Sequence, residues 1–308
     1  MKIREKLQII KGLLNLTQSE LAAKLGVSFV AFNNWWNEKS VPRGGKTKEI
    51  DSLYKECTGQ NEIPDDVLVA KKLLVKKQCR QYRNVMRKIL HESDLYDQFL
   101  LSLTYNSNKM EGSTLSENET AGVMFRNSVL KDKSLVEQLE VKNHQAALEY
   151  LWGYLIHGYK KIDETLILRL HAILLNSINA SAGNYRTHGV RIVGSYVPTA
   201  NYLKIPKLMK ELVDDLEKKP KDIIAQVARL HARFEQIHPF ADGNGRIGRL
   251  IMSAMFLRQN IPPAIIKQES RQFYYAALQK AQLKEDYSNL EDFISEAVFL
   301  GLKLLRRG

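Results

Sequence analysis

The stretch His238 to Arg249, HPFADGNGRIGR, decides how the rest of the chain is read. It puts an imidazole, a carboxylate, a Gly-Asn-Gly turn and two guanidinium groups into one loop and the first turns that follow it. Gly243 and Gly245 flank Asn244, and residues without a Cβ let the backbone curl until successive N–H groups face one anion-attracting concavity. From Arg246 to Gln259 the apolar residues Ile247, Leu250, Ile251, Ala254 and Met255 recur at helical spacing. The turn therefore opens a helix, where unpaired N–H groups and the dipole favour phosphate. Arg246 and Arg249 share a face of that first turn, and two forked donors suit the outer phosphates of a nucleoside triphosphate. Asp242 is a hard oxygen ligand suited to holding Mg²⁺ (or Mn²⁺) against phosphate oxygens. His238, which ordinarily titrates near neutrality, is the natural base for an attacking hydroxyl. Each residue is commonplace alone, as a loop histidine, a turn or a solvated arginine face; their joint occurrence at fixed spacing carries the argument.

Every fixed position of this stretch matches the Fic signature, His-x-Phe-x-Asp/Glu-Gly-Asn-Gly-Arg-x-x-Arg, and the chain resembles the Fic family. The resemblance implies a mainly helical domain that transfers the AMP part of ATP to a Tyr, Thr or Ser hydroxyl of a target protein, the chain itself included. It implies His238 as base, Phe240 as a core anchor, and Asp242 as metal ligand. By the same resemblance Gly243, Asn244 and Gly245 form the anion hole, and Arg246 and Arg249 grip the β and γ phosphates. Family members that phosphorylate carry Lys where this chain has Gly245.

Two further segments extend the resemblance. Ser107 to Gly112, SNKMEG, resembles the family's inhibitory motif, Ser/Thr-x-x-x-Glu-Gly/Asn. By analogy Glu111 pairs with Arg249 and removes the partner of the γ phosphate, a competition that one guanidinium permits. Asn184 to Thr199, NYRTHGVRIVGSYVPT, is rich in β-branched and aromatic residues around Gly189 and Gly194 and predicts a short β-hairpin. In Fic proteins the equivalent flap pairs with the target backbone as an added strand. Arg271, Tyr274, Tyr275, Leu278 and Gln282 resemble the segment lining the family's adenine pocket, although tyrosines at helical spacing are also common core residues.

At the other end of the chain, Ile3, Leu7, Ile10 and Leu14 form a helical stripe, Thr17 and Glu20 form a capping box, and Ser28 caps a third helix running to Trp36. The run LTQSELAAKLGVSFVAFNNWW resembles lambda-repressor-type DNA-binding domains, with Gly26 and Val27 in the turn. That resemblance makes DNA a candidate partner, with Gln18, Ser28, Phe29, Asn33 and Asn34 as base or phosphate contacts. Charge agrees: residues 1 to 91 hold eighteen Lys and Arg against nine Asp and Glu, an excess of nine in a chain of net charge +12. Gly45-Lys46-Thr47 imitates the end of a P-loop, but Ser40 stands where the first glycine belongs, so this reads as a loop.

The organisation expected is mainly α: a helix-turn-helix domain over residues 1–60, a linker and connecting helix over 61–92, and over 93–308 a Fic helical bundle with a hairpin flap and the inhibitory motif at 107–112. The basic run Val67 to Leu90 predicts one long helix with a solvated Lys/Arg face. Further helices are expected over 134–157, 163–178, 205–218, 222–237, 245–259, 270–282 and 290–305. His231 lacks partners at metal spacing and reads as a packed helix residue. Cys57 and Cys79 are the only cysteines, so no disulfide framework is indicated. No stretch is long and apolar enough to span a bilayer, the first residues lack a signal-peptide core, and the cytoplasm is the default location. A second copy of the chain stays open as a partner. Two other functions compete with adenylyl transfer: a transcription regulator whose Fic domain senses nucleotide, and removal of AMP from a modified protein with Glu111 positioning water.

Overall fold

The computed structural model describes residues 1–158, 161–192 and 195–306. Its first four helices, α1 (Ile3–Leu14), α2 (Gln18–Lys24), α3 (Phe29–Trp36) and α4 (Gly44–Cys57), enclose a small core of their own. Leu7, Ile10, Leu21, Phe32, Trp35 and Ile50 fill it. The caps act as their residue types dictate. Thr17 Oγ1 accepts from Glu20 N at 3.2 Å while the Glu20 carboxylate accepts from Thr17 N at 2.7 Å. Gly26, at φ +62°, turns the chain, and Ser28 Oγ accepts from Ala31 N at 3.3 Å to open α3. One expectation fails here: Gly45-Lys46-Thr47 lies in the first turn of α4 rather than in a loop. Lys46 Nζ donates to Leu25 O at 2.8 Å and so ties α4 to the end of α2, a tertiary contact invisible to local reading.

The basic run also departs from expectation. It forms two helices, α5 (Asp65–Cys79) and α6 (Val85–His91). The break is held by Asn84 Oδ1, which accepts from Arg87 N at 2.9 Å, and by Asn260 Oδ1, which accepts from Val85 N at 2.8 Å. Its lysines are not all solvated. Lys71 donates to Asp292 at 2.5 Å, and Lys72 pairs with both Asp222 and Glu291.

The main core is built by α7 (Ser93–Met110), α8 (Glu117–Arg126), α9 (Leu135–Ile156), α10 (Glu164–Leu174), α11 (Ile205–Leu216), α12 (Ile223–Ile237), α13 (Asn244–Arg258), α14 (Arg271–Lys284) and α15 (Ser288–Leu305). Expected helix positions hold to within a few residues, except that α10 stops short of Ile178. At the centre, α13 is buried on every side from Arg246 to Leu257, as befits a helix that packs against α7, α9, α10 and α12. Its neighbour α12 ends at His238, at φ +50°. The loop that opens the HPFADGNGRIGR stretch is thus the short connection between two core helices.

No strand forms among the described residues of 184–199, so the expected hairpin is not seen there; Gly194 lies outside the described residues. The segment is instead fastened to the core by side chains, above all Arg186. The small core also touches the large one. Phe273 of α14 packs against it, Lys280 Nζ donates to Asn61 O at 3.1 Å, and Gly59, at φ +69°, lies so close to α14 that a Cβ would meet Ala276 O at 2.8 Å. No described helix is long and apolar enough to cross a membrane.

Candidate active site

The loop between α12 and α13 is shaped by its own short-range bonds. Phe240 N donates to Asn244 Oδ1 and Asn244 Nδ2 returns a bond to Phe240 O, both at 2.9 Å. Asn244 is therefore a clamp that closes the turn. Gly243, at φ +77°, takes the left-handed conformation the turn requires. Phe240 is fully buried and stacks on His171 with ring centres 3.7 Å apart. His171 in turn spans the loop, with Nε2 3.1 Å from Asp242 O and Nδ1 accepting from Gly183 N at 2.9 Å. Burial lowers this imidazole to about 4, so it acts as a neutral strut.

His238 is held from two sides. Its Nδ1 lies 3.2 Å from Glu235 O, and because a carbonyl only accepts, Nδ1 carries the proton and Nε2 keeps its lone pair. Its own carbonyl accepts from Arg186 Nε at 2.7 Å. Burial first, and the Arg186 charge besides, hold His238 below the usual histidine value against the opposing Glu235 bond. The unprotonated ring therefore predominates at neutral pH. Arg186 also donates to the carbonyls of His188, Ala200 and Ile237 at 2.6, 2.6 and 3.3 Å. One buried guanidinium thus joins the 184–200 segment to the backbone under His238.

Both arginines of α13 are engaged. Arg246, almost fully buried, bonds Glu140 of α9 at 2.7 Å, with Asp242 at 3.7 Å. Arg249 donates from Nε to Ser107 Oγ at 2.9 Å, and from Nη2 to Ser107 O at 3.0 Å and Glu111 Oε1 at 2.6 Å. The Glu111 carboxylate lies over Gly245 so closely that a Cβ there would collide with Oε1 and stand 3.1 Å from Arg249 Nη1. Burial works to raise Glu111, but Arg249, with further help from Arg246 and Arg271, outweighs it and keeps the carboxyl below its ordinary range. A carboxylate thus sits across the concavity that the sequence assigns to phosphate.

Asp242 is exposed, its side chain 55% accessible, and its Oδ1 accepts from Gly243 N at 2.6 Å. Among the described residues no group of three or more His, Cys, Asp or Glu could hold a metal ion. The donor set fits a hard cation bound by one carboxylate together with phosphate oxygens, the usual manner for Mg²⁺.

The α14 residues divide. Tyr275 lies beside Arg271, whose guanidinium carbon is 5.5 Å from its ring centre. Tyr274 is fully buried and bonds His231 Nε2 at 2.5 Å, Leu278 is core, and Gln282 donates to Ala232 O at 3.0 Å. Three of the five are thus turned into the helix packing. His231 is a packed helix residue, as expected. In the small core's surface, Phe29 is 48% exposed, Gln18 and Asn34 are half-buried, Ser28 serves as the α3 cap, and Asn33 Oδ1 accepts from Asn37 at 2.9 Å.

Sequence reasoning missed Glu140, His171, Arg186 and Glu235. Only Arg186 lay inside a quoted segment; the others are ordinary helix residues until folding places them.

Residues 161–256 match the Fic/DOC family, a span that runs from the approach to α10 through the loop and into α13. The match takes in the whole of the His238–Arg249 loop and all of α13 but its last two residues. It is 33% identical over 209 residues to "Protein adenylyltransferase fic-1" of Caenorhabditis briggsae, covering 66% of this chain and 39% of that protein. It is 34% identical over 181 residues to "Protein adenylyltransferase Fic" of Nematostella vectensis, covering 58% and 42%. The chain thus spans about two fifths of the length of these curated relatives. A solved Fic domain containing signaling protein from Bacteroides thetaiotaomicron superposes with a TM-score of 0.66 at 23% identity, covering 77% of this chain and 98% of that one. Fic-1 (aa134–508) from C. elegans gives 0.64 at 23% identity, covering 85% and 81%. These likenesses show the fold.

Proposed function

We propose that this chain is a protein adenylyltransferase held inactive by Glu111. The observation that carries the reading is the 2.6 Å bond between Glu111 and Arg249, made across Gly245. Relatives named as protein adenylyltransferases support AMP transfer to protein in general. In the proposed reaction His238 Nε2 takes the proton of a Tyr, Thr or Ser hydroxyl on the target. The hydroxyl oxygen attacks the α-phosphorus of ATP, a P–O bond forms to the target, the bond to the β-phosphate oxygen breaks, and pyrophosphate leaves. Backbone N–H groups at Gly243 to Gly245 face the charge that develops, and Arg246 and Arg249 orient the outer phosphates. Asp242 would hold Mg²⁺, which supplies charge neutralisation to the phosphates when bound. The 184–200 segment, fixed by Arg186, is the proposed rest for the target backbone, and Tyr275 with Arg271 the proposed side of the adenine.

Autoinhibition follows from competition. While Arg249 is satisfied by Glu111 and Ser107, the γ phosphate has no guanidinium to meet and would face a carboxylate. Incubation with α-labelled ATP and Mg²⁺ tests this directly. The Glu111→Gly protein labels itself or added protein, the parent labels weakly, and Glu111→Gly with His238→Ala not at all. Absence of label from Glu111→Gly with either Mg²⁺ or Mn²⁺ would refute the mechanism.

The small N-terminal core is proposed to bind DNA, on the resemblance of residues 16–36 and the basic excess of residues 1 to 91. Fluorescence anisotropy with duplex DNA checks it: affinity should fall steeply with salt, and Phe29→Ala or Asn34→Ala should weaken it. Binding unchanged in both variants removes α3 as the contact.

A further inference from the structure

α12 and α13 run antiparallel, so the loop bearing His238 lies at one end of the pair and Asp222 to Ile224 with Gln259 to Ile261 lie at the other. At that far end, about 22 Å from His238 by the length of a 15-residue helix, the structure has a cavity of about 420 Å³ closed on its other side by α5. Its size falls in the range of small-molecule sites. The lining is largely aliphatic: Val69, Leu73 and Val75 from α5, Ile223 and Ile224 from α12, and Ile261. The mouth is cationic. Lys76, Arg80 and Lys221 line it, all exposed and without an ion pair among the described residues, whereas Lys72 beside them is neutralised by Asp222 and Glu291. A second hollow of about 210 Å³ shares Pro220, Ile223 and Gln259 with the first and brings Lys219 to its edge.

We propose that this cavity binds an anionic amphiphile, an aliphatic chain bearing a carboxylate or phosphate head. The chain would cover Leu73 and Val69, left 61% and 54% exposed on the cavity wall, a placement water does not favour. The head would meet Lys76, Arg80 and Lys221, none of which has an ion pair among the described residues. No aromatic ring among the described residues lines the cavity, which removes the stacking surface a nucleobase would use and favours an acyl over a nucleotide ligand. Asn260 contributes structure rather than recognition, since its amide is already committed to Tyr82 O at 2.8 Å and to Val85 N.

Isothermal titration of the full chain with decanoate, decyl phosphate and decanol, all below their micellar concentrations, tests the proposal. Saturable binding of one anionic amphiphile per chain is expected, and decanol should bind at least about tenfold more weakly, the equivalent of one charge-assisted hydrogen bond. Whichever anion binds more tightly identifies the head group. Lys76→Gln with Arg80→Gln should weaken both anions by at least about tenfold with an unchanged thermal midpoint. Val69→Trp adds a bulky ring on the aliphatic wall, fills the space the chain would occupy, and should abolish binding of all three. The proposal is overturned if neither anion saturates by about 1 mM, if decanol binds as tightly as they do, or if both variants bind like the parent.

Discussion

Replacing Glu235 with Gln should stabilise the protein, and by an amount set by pH. Glu235 lies on α12 behind the first turn of α13, 6% exposed, with Oε1 lacking a hydrogen-bond partner among the described residues and His231 Nε2 4.0 Å away. Burial, opposed by Arg249 and reinforced by the Glu111 charge, raises its carboxyl from 4.5 to about 8. The folded state therefore keeps a proton that the unfolded chain releases above its ordinary value. Stability from such a group is fully present below 4.5 and is lost as pH rises toward 8. One pKa unit is worth about 1.4 kcal/mol, so the loss at pH 7, two and a half units above the ordinary value, is about 3 kcal/mol. Gln is neutral at every pH and nearly isosteric, and its Nε2 can donate where the acid had its proton. A recipient is at hand in His231 Nδ1, also buried and unpartnered, and both atoms crowd the same point above Gly248. Urea unfolding of the two proteins at a series of pH values measures the effect, and their difference cancels every other titration. The difference should grow from about 1 kcal/mol or less at pH 5 to about 3 kcal/mol at pH 7 in favour of Gln, a rise of about 5 °C in Tm for a chain of this size. A difference that stays flat from pH 5 to 8, or that favours Glu at pH 8, would refute the reasoning.

Burial lowers His144, His171 and His231 to about 3, 4 and 3, so stability present above the ordinary value of 6.5 is lost as pH falls. With three protons gained on unfolding against one released by Glu235, the unfolding free energy from urea titrations should fall below pH 6 with a slope of about 3 kcal/mol per pH unit; a constant free energy from pH 6.5 to 4.5 would contradict it. Arg186→Leu leaves four carbonyls without their donor and should cost about 3 kcal/mol or more in thermal unfolding. In the Glu111→Gly background it should also abolish labelling from α-labelled ATP. Gly248→Ala drives a methyl into the Glu235 carboxylate and to 2.9 Å from His231 Cε1, and should destabilise by about 2 kcal/mol, read by the same melts.

Much of the architecture is written locally. Thr17, Ser28, Ser116, Ser134 and Asp222 each cap the helix they precede, because a side-chain oxygen two or three residues from an unpaired N–H meets it whatever the rest of the chain does. The glycine turn of the HPFADGNGRIGR loop and the opening of α13 were legible for the same reason, since both close within a few residues; the Asn244 side chain, read as part of the anion hole, is instead spent on a clamp to Phe240. Local reading failed where a distant residue decided the outcome. Asn260 breaks the long basic helix at Val85, 175 residues away, and Lys46 fastens α4 to Leu25. The 184–200 segment is held by the Arg186 guanidinium instead of by strand pairing among its described residues.

The sequence by itself determined which groups the loop offers: a histidine, a carboxylate, a glycine-lined turn and two arginines at fixed spacing. Their state was decided only by tertiary structure. Glu111 lies 138 residues from Arg249 and Glu140 lies 106 from Arg246, so nothing in local spacing says that both guanidinium groups are already satisfied. Packing α7 and α9 against α13 brings those carboxylates to them, and packing α12 beneath α13 buries Glu235 and His231 against Gly248. Chemical identity is carried by residues close in sequence, whereas charge compensation and burial are properties of helices that meet only in the folded core.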